Sequence, residues 1–245
     1  MVVAKHAWEA RLPVLRALPD EMTAMPVQTD QTAVVHVVDD DASMRDALQG
    51  LFSSMGLDAR TYATARDFLA AMLPDRPGCV VIDVRLPDSN GLDFQAHLTS
   101  IGIRLPVVMI TGYGDIAMSV RAMKHGAVDF LPKPFSDQQM LDAVTAAVAR
   151  DRQRRAIDAC LFRTQERFAT LSSREQEVML LVTAGRMNKQ VAGDLGISEI
   201  TVKIHRGAVM RKMGARSLAE LVRMADVINT KWSWLLTPGA AARRP

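Results

Sequence analysis

The chain has 245 residues, 49% of them hydrophobic and 23% charged, with a net charge of +3; this is the profile of a water-soluble protein of one or two domains. No apolar run reaches the roughly 18 residues of a membrane helix, and the first twenty residues, interrupted by Pro13, make a poor secretory signal. Two cysteines in unlike contexts, Cys79 and Cys160, argue against a disulfide framework and fit a reducing cytoplasm.

Residues 1–31 contain several prolines and no clean periodicity, and read as a flexible N-terminal extension. From residue 34 short apolar runs alternate with amphipathic stretches. Strands are predicted at 34–38, 58–63, 79–84, 106–111 and 127–131, and helices near 42–55, 64–73, 91–100, 115–124 and 136–154. Five βα repeats with short connections imply an α/β fold: a parallel, doubly wound, flavodoxin-like sheet covered by helices on both faces. This domain is placed at 32–154. The charged stretch 155–169 has no Pro or Gly and reads as a helical linker.

Residues 170–230 read as an all-α, four-helix domain containing a helix-turn-helix. Ser172 or Ser173, Asn188, Ser198 and Ser217 are candidate caps, with Gly185, Gly196 and Gly214 as stops, and Ser217 with Glu220 makes a capping box. The tail, 231–245, carries Trp232 and Trp234, which are expected to pack back on the domain, and beyond Pro238 disorder is expected. Charge follows the same division. Residues 1–150 hold 13 Lys/Arg against 18 Asp/Glu, and residues 151–245 hold 17 against 9. An acidic half before a basic half suggests two tasks, the second on a polyanion.

Ligands in open α/β sheets sit at the carboxyl ends of the strands, at the topological switch point. With strand order 2-1-3-4-5, strands one and three are neighbours there, and Asp39, Asp40 and Asp83 converge on one cleft. Clustered carboxylates repel one another, and a hard cation such as Mg²⁺ relieves that cost. One carboxylate can then act as nucleophile toward a phosphoryl group, with Thr111 and Lys133 able to hold its oxygens. Asp41, just before a helix, reads instead as its N-cap.

The segments VHVVDDD, VIDVRLPDSNGLDF, VVMITGYGD and AVDFLPKPF resemble the receiver domain of response regulators over about residues 33–150. The resemblance implies that Asp39 and Asp40 bind Mg²⁺ together with Asp83 and the backbone carbonyl of Arg85. It implies that Asp83 is the phosphoacceptor, that Thr111 and Phe130 are switch residues, and that Lys133 is the phosphate-binding lysine, with a cis Lys133–Pro134 bond. Residue type alone would assign Phe130 to the core.

Residues 170–228 resemble the LuxR-type helix-turn-helix domain, which makes the whole chain similar to the NarL/FixJ class, nearest its FixJ-type branch. On the helix starting at Glu199, Val202, His205, Val209 and Met213 share one face against the bundle, with a structural role for His205. Lys203, Ile204, Gly207 and Arg211 lie opposite, facing the major groove. Lys203 and Arg211 can reach base acceptors or phosphates, and Ile204 a thymine methyl. Gly207 removes a base contact that a longer side chain would make. Arg206, Lys212 and Lys189 are candidates for phosphate contacts. The helix 218–228 serves either dimerisation or core packing.

The resulting expectation is a non-enzymatic transcriptional regulator. Its expected partners are a sensor histidine kinase, promoter DNA and RNA polymerase, and it is expected to homodimerise on phosphorylation. Two rivals stay open. One is a Mg²⁺-dependent aspartyl-phosphate phosphatase, which would place its nucleophile on the first strand and carry a cap domain. The other is a DNA-binding protein with an inactive receiver.

Overall fold

Three apolar runs form the centre of a five-stranded parallel sheet. In the computed structural model, which describes residues 32–112 and 116–232, β1 (Val34–Val38), β3 (Gly78–Asp83) and β4 (Val107–Thr111) are buried along their whole length. The half-buried β2 (Asp58–Tyr62) and β5 (Asp129–Pro132) form the edges, and the order is β2-β1-β3-β4-β5. The helices are α1 (Ala42–Ser54), α2 (Ala65–Ala70), α3 (Gly91–Ser100), α4 (Ile116–Lys124) and α5 (Asp137–Ala169).

Side chains alternate across the sheet. Val35, Val37, Val81, Val108 and Ile110 pack on one face with Phe52 of α1 and Met140 and Val144 of α5. Val38, Val80, Ile82 and Met109 pack on the other with Phe68 of α2, Leu92, Phe94 and Leu98 of α3, and Ala122 of α4. Each fully buried aromatic or aliphatic side chain contributes roughly 1.5–3 kcal/mol by leaving water.

Three elements differ from expectation. The last helix runs to Trp232, past its expected end at 228 and two residues into the expected tail. The second helix ends at Ala70, because Ala71 is extended (ψ 142°) and Pro74 follows closely. The fifth strand begins at Asp129 rather than near 127, because the Ala127 N–H closes the end of α4 on the Ala122 carbonyl (3.1 Å).

The described residues divide into two compact units, one ending at Arg155 and the other starting at Ala156, within α5. The second unit adds α6 (Ser173–Thr183), α7 (Asn188–Leu195), α8 (Glu199–Met213) and α9 (Leu218–Trp232). Ser172 and Glu175 form a reciprocal capping box, and Ser198 caps α8 through the Thr201 N–H. Asn188 does not cap α7. Met187 holds the cap position, its N–H bound by the Gln190 side chain (2.9 Å), while Asn188 Oδ1 accepts from Arg206 (3.2 Å). The box expected from Ser217 and Glu220 is half made: Ser217 Oγ accepts from the Glu220 N–H, but Glu220 accepts from the Arg216 N–H. Leu221, Met224, Ala225 and Ile228 of α9 pack into the domain core with Met179, Val209 and Met213. That favours the packing role for this helix.

No helix among the described residues is long and apolar enough to cross a membrane. The N-terminal extension, the residues after Trp232 and the first residue expected of the fourth helix, Asp115, lie outside the described residues.

Candidate phosphoacceptor cleft and nucleic-acid face

The register between β1 and β3 pairs Val38 with Ile82, so the next residues, Asp39 and Asp83, emerge together at the carboxyl edge. Asp40 joins them, and one carboxylate oxygen from each of the three lies within 4.8 Å of the others. Asp39 and Asp83 are buried and Asp40 is exposed. Lys133, just beyond β5, donates from Nζ to Asp39 Oδ2 (2.8 Å) and to Asp83 Oδ2 (2.5 Å). Its own N–H binds the carbonyl of buried Thr111 at the end of β4 (2.7 Å), and the Lys133–Pro134 bond is cis.

Electrostatics follow from this packing. Burial raises the Asp39 pKa above its ordinary value, and the Lys133 hydrogen bond only partly opposes it. Burial works to lower Lys133, but the hydrogen bonds it makes to Asp39 and Asp83 outweigh that, so its ammonium is held above the usual range. The remaining oxygens are fixed by backbone: Asp39 Oδ1 accepts from the Asp41 N–H and Asp83 Oδ1 from the Arg85 N–H, both at 2.9 Å. All the candidate donors are oxygens, two of them rigidly held and one open to water. That set suits a hard divalent cation that keeps several waters. Asp41 stands apart and caps α1 through the Ser43 N–H (2.9 Å).

Three features that hold this cleft were not named from sequence. Arg45 of α1 donates from Nη1 to the carbonyl oxygens of Asp39 (2.8 Å) and Asp40 (2.9 Å), which pins the acidic corner from behind. Asp88, in the loop after Asp83, accepts from the Ala65 and Arg66 N–H groups and ties that loop to the start of α2. Gly91 lets α3 begin directly on the Asp83 backbone; a Cβ there would lie 2.4 Å from the Asp83 carbonyl oxygen. Phe130 is half-buried on β5 and packs beside the core under α2–α4.

In the second unit Gly196, in the left-handed region (φ 65°), ends α7 and sets up the turn to α8. Val202, Val209 and Met213 of α8 are buried, with His205 half-buried at their margin. Lys203, Ile204, Gly207 and Arg211 are all exposed on the opposite face. Ile200 extends this face by one turn; it is 70% exposed and Ile204 is 65%. An isoleucine next to a helix cap gives no sign of which way it points, and only the solvent exposure identifies it. Lys189 is exposed on α7, and Arg206 is half-buried against Asn188.

Lys212 has a different setting. Its Nζ donates to Glu175 Oε2 (2.6 Å) and to the Thr170 carbonyl (3.3 Å). Its ammonium thus already has partners inside the domain, which engage two of its three donors. The Lys212 hydrogen bond, reinforced by the Ser172 N–H, holds the Glu175 carboxyl at a pKa of about 2.

Residues 35–145 match the family model of the response regulator receiver domain, and residues 169–225 match that of bacterial regulatory proteins of the luxR family. Nodulation protein W of Bradyrhizobium diazoefficiens is 55% identical over 196 residues, covering 80% of this chain and 86% of that protein. The transcriptional regulatory protein FixJ of Rhizobium meliloti is 42% identical over 201 residues, covering 80% of this chain and 96% of that protein. Among solved structures, the response regulator StyR superposes with a TM-score of 0.72 at 44% identity, over 80% of this chain and 99% of that one.

Proposed function

The chain belongs to the two-component response regulators of the NarL/FixJ class, transcription regulators in which a receiver precedes a LuxR-type DNA-binding domain, and from that premise we propose that Asp83 is the residue through which this regulator is switched. The carrying observation is the convergence of Asp39, Asp40, Asp83 and Lys133 at one strand edge.

Asp39, Asp40, Asp83 and the Arg85 carbonyl would hold a Mg²⁺ ion, which supplies charge neutralisation for the phosphoryl oxygens. An Asp83 carboxylate oxygen attacks the phosphorus of the phosphohistidine on a sensor kinase; the O–P bond forms as the P–N bond breaks, and the histidine leaves. Asp39 keeps its second oxygen on the Asp41 N–H and stays in place. Lys133, already on Asp83, turns its ammonium to a phosphoryl oxygen. The Thr111 hydroxyl binds another, and Phe130 on the adjoining strand follows the inward shift of Thr111.

The altered receiver then pairs with a second copy through α4 and β5, where Val120 and Met123 are exposed. Two DNA-binding units reach a two-fold site together. Lys203, Ile204, Gly207 and Arg211 face the bases, with Arg206 and Lys189 at the phosphates, and the bound dimer acts on RNA polymerase. Lys212 is left out of the contact set because of its ion pair with Glu175.

The test is incubation with Mg²⁺ and acetyl phosphate beside an Asp83→Asn variant, following phosphoprotein and oligomeric mass together. Modification and dimerisation of the wild type alone is the expected result. Modification of both proteins, or of neither, rejects Asp83 as the acceptor.

A further inference from the structure

A cavity of about 330 Å³ lies beside the segments that lead into β3 and β4, at the end of the sheet away from the acidic cleft. Leu73, Pro74, Ile103 and Leu105 give it an apolar wall, and Arg104, Arg154 and Arg155 line the rest. Its volume is at the lower end of the roughly 300–1,000 Å³ usual for small-molecule sites. The cavity belongs wholly to the receiver unit, whose last two residues are Arg154 and Arg155.

Arg154 and Arg155 are held from behind. Asp151 is fully buried, and its Oδ1 accepts from Arg154 Nε (3.0 Å) and Nη2 (2.6 Å). Its Oδ2 accepts from Arg155 Nε (2.8 Å) and from the Gly78 N–H (3.1 Å). A buried carboxylate with four donors cannot turn, so it fixes both guanidinium planes. Arg155 directs Nη1 to Asp75 (2.5 Å), whose side chain is 97% exposed. So exposed an ion pair is worth only about 0–1 kcal/mol, and an arriving anion can replace it at little cost. Asp75 itself does not line the cavity, but its pairing shows that the Nη1 of Arg155 takes a carboxylate and makes Asp75 the internal competitor for that nitrogen. An arginine fork also suits carboxylate and phosphate equally well.

We propose that this cavity binds a small organic anion. Arg155 and Arg104 take its carboxylate or phosphate, and Leu73, Ile103 and Leu105 take its apolar body. The site is separate from the phosphoacceptor cleft and does not depend on the function assigned there.

The experiment titrates the full-length protein with hexanoate, with hexanamide as the neutral isostere, and with inorganic phosphate as competitor. Amide NMR shifts at Ile103 and Leu105 report the site. Saturable hexanoate binding with none for hexanamide is expected. Asp75→Ala removes the internal competitor and should tighten hexanoate binding roughly fivefold. Asp93→Ala makes the same change of net charge elsewhere on the receiver and should leave binding unchanged. Arg104→Ala should weaken it; should that variant misfold, Asp75→Ala still decides. Competition by phosphate assigns the site to phosphate-bearing ligands as well, and its failure assigns it to carboxylates carrying an apolar body. Equal response to hexanoate and hexanamide, no saturable binding to wild type or Asp75→Ala, or equal gains from the two aspartate variants would each overturn the proposal.

Discussion

Arg45 donates to the carbonyl oxygen of Asp39 at 2.8 Å, and the same nitrogen reaches the Asp40 carbonyl at 2.9 Å. It touches neither carboxylate through these bonds; it fixes the peptides from which both project. Groups that orient metal ligands typically matter by 10–100-fold in affinity. Arg45→Ala should weaken Mn²⁺ or Mg²⁺ binding by about tenfold, and Arg45→Lys should recover part of it. Direct metal titration checks this, with the metal-free melting temperature as control. Unchanged metal affinity would remove Arg45 from a positioning role.

Lys133 is the counter-ion of two buried carboxylates, one of them wholly inaccessible. Removing one partner of a buried pair leaves an uncompensated charge that costs roughly 3 kcal/mol. Lys133→Ala should destabilise the receiver by about that amount without divalent ions. Millimolar Mg²⁺ should restore most of the loss, since the ion takes over the neutralising role. Urea unfolding with and without Mg²⁺ measures both parts. Equal destabilisation in the two conditions would count against a cation site there.

His36 is buried on β1, with Nδ1 within 3.0 Å of the Tyr62 hydroxyl and its ring against Phe68. Burial, helped by the Arg60 charge, lowers its pKa from 6.5 to about 4. Below pH 6.5 the unfolded chain binds a proton that the folded receiver refuses, so stability falls as pH drops from 6.5 toward 4. Between pH 6.5 and 5 the loss should approach about 2 kcal/mol. His36→Leu should flatten that part of the profile, measured by amide exchange in β1. An unchanged slope would place the effect elsewhere.

Lys203 and Lys212 lie on one helix and should behave oppositely. Lys203→Ala should lower DNA affinity without changing the melting temperature, and should reduce the salt dependence of binding by about one counter-ion if it contacts phosphate. Lys212→Ala, like Glu175→Gln, should cost the DNA-binding unit about 1–2 kcal/mol, because each breaks the tie between the α6 cap and α8. Glu175 is depressed from 4.5 to about 2, so its stabilising effect is complete above pH 4.5 and is lost between 4.5 and 2. The wild type and Glu175→Gln should therefore converge in stability over that window. A Lys212→Ala protein of normal stability and weakened DNA binding would reverse the assignment.

The sheet was legible because burial on both faces turns β1, β3 and β4 into unbroken apolar runs, and strand ends follow from where those runs stop. That the acidic residues fall at adjoining strand ends follows from the same reading once the strand order is 2-1-3-4-5. Other features were not legible because they depend on contacts remote in sequence. Lys212 meets Glu175 across 37 residues, and Asp151 meets Gly78 across 73. Nor could residue preference alone place the cap of α7. Asn188 is a favoured capping residue, but the Met187–Gln190 pair is one position earlier and Arg206 engages the asparagine.

Two glycines in this chain convey opposite information to anyone randomising it. At Gly91 a side chain would collide with the peptide of Asp83, so a library selected merely for folded protein would return glycine. At Gly207, on the exposed face of α8, no atom beyond the helix's own adjoining backbone lies within 4 Å of where a Cβ would stand. Packing against other elements therefore imposes no choice there beyond the helix's own bias against proline and toward better helix formers than glycine, and any further preference that emerged under selection for DNA binding would report a contact with the bound DNA. Position 207 is thus where a new operator specificity could be evolved with least risk to the scaffold.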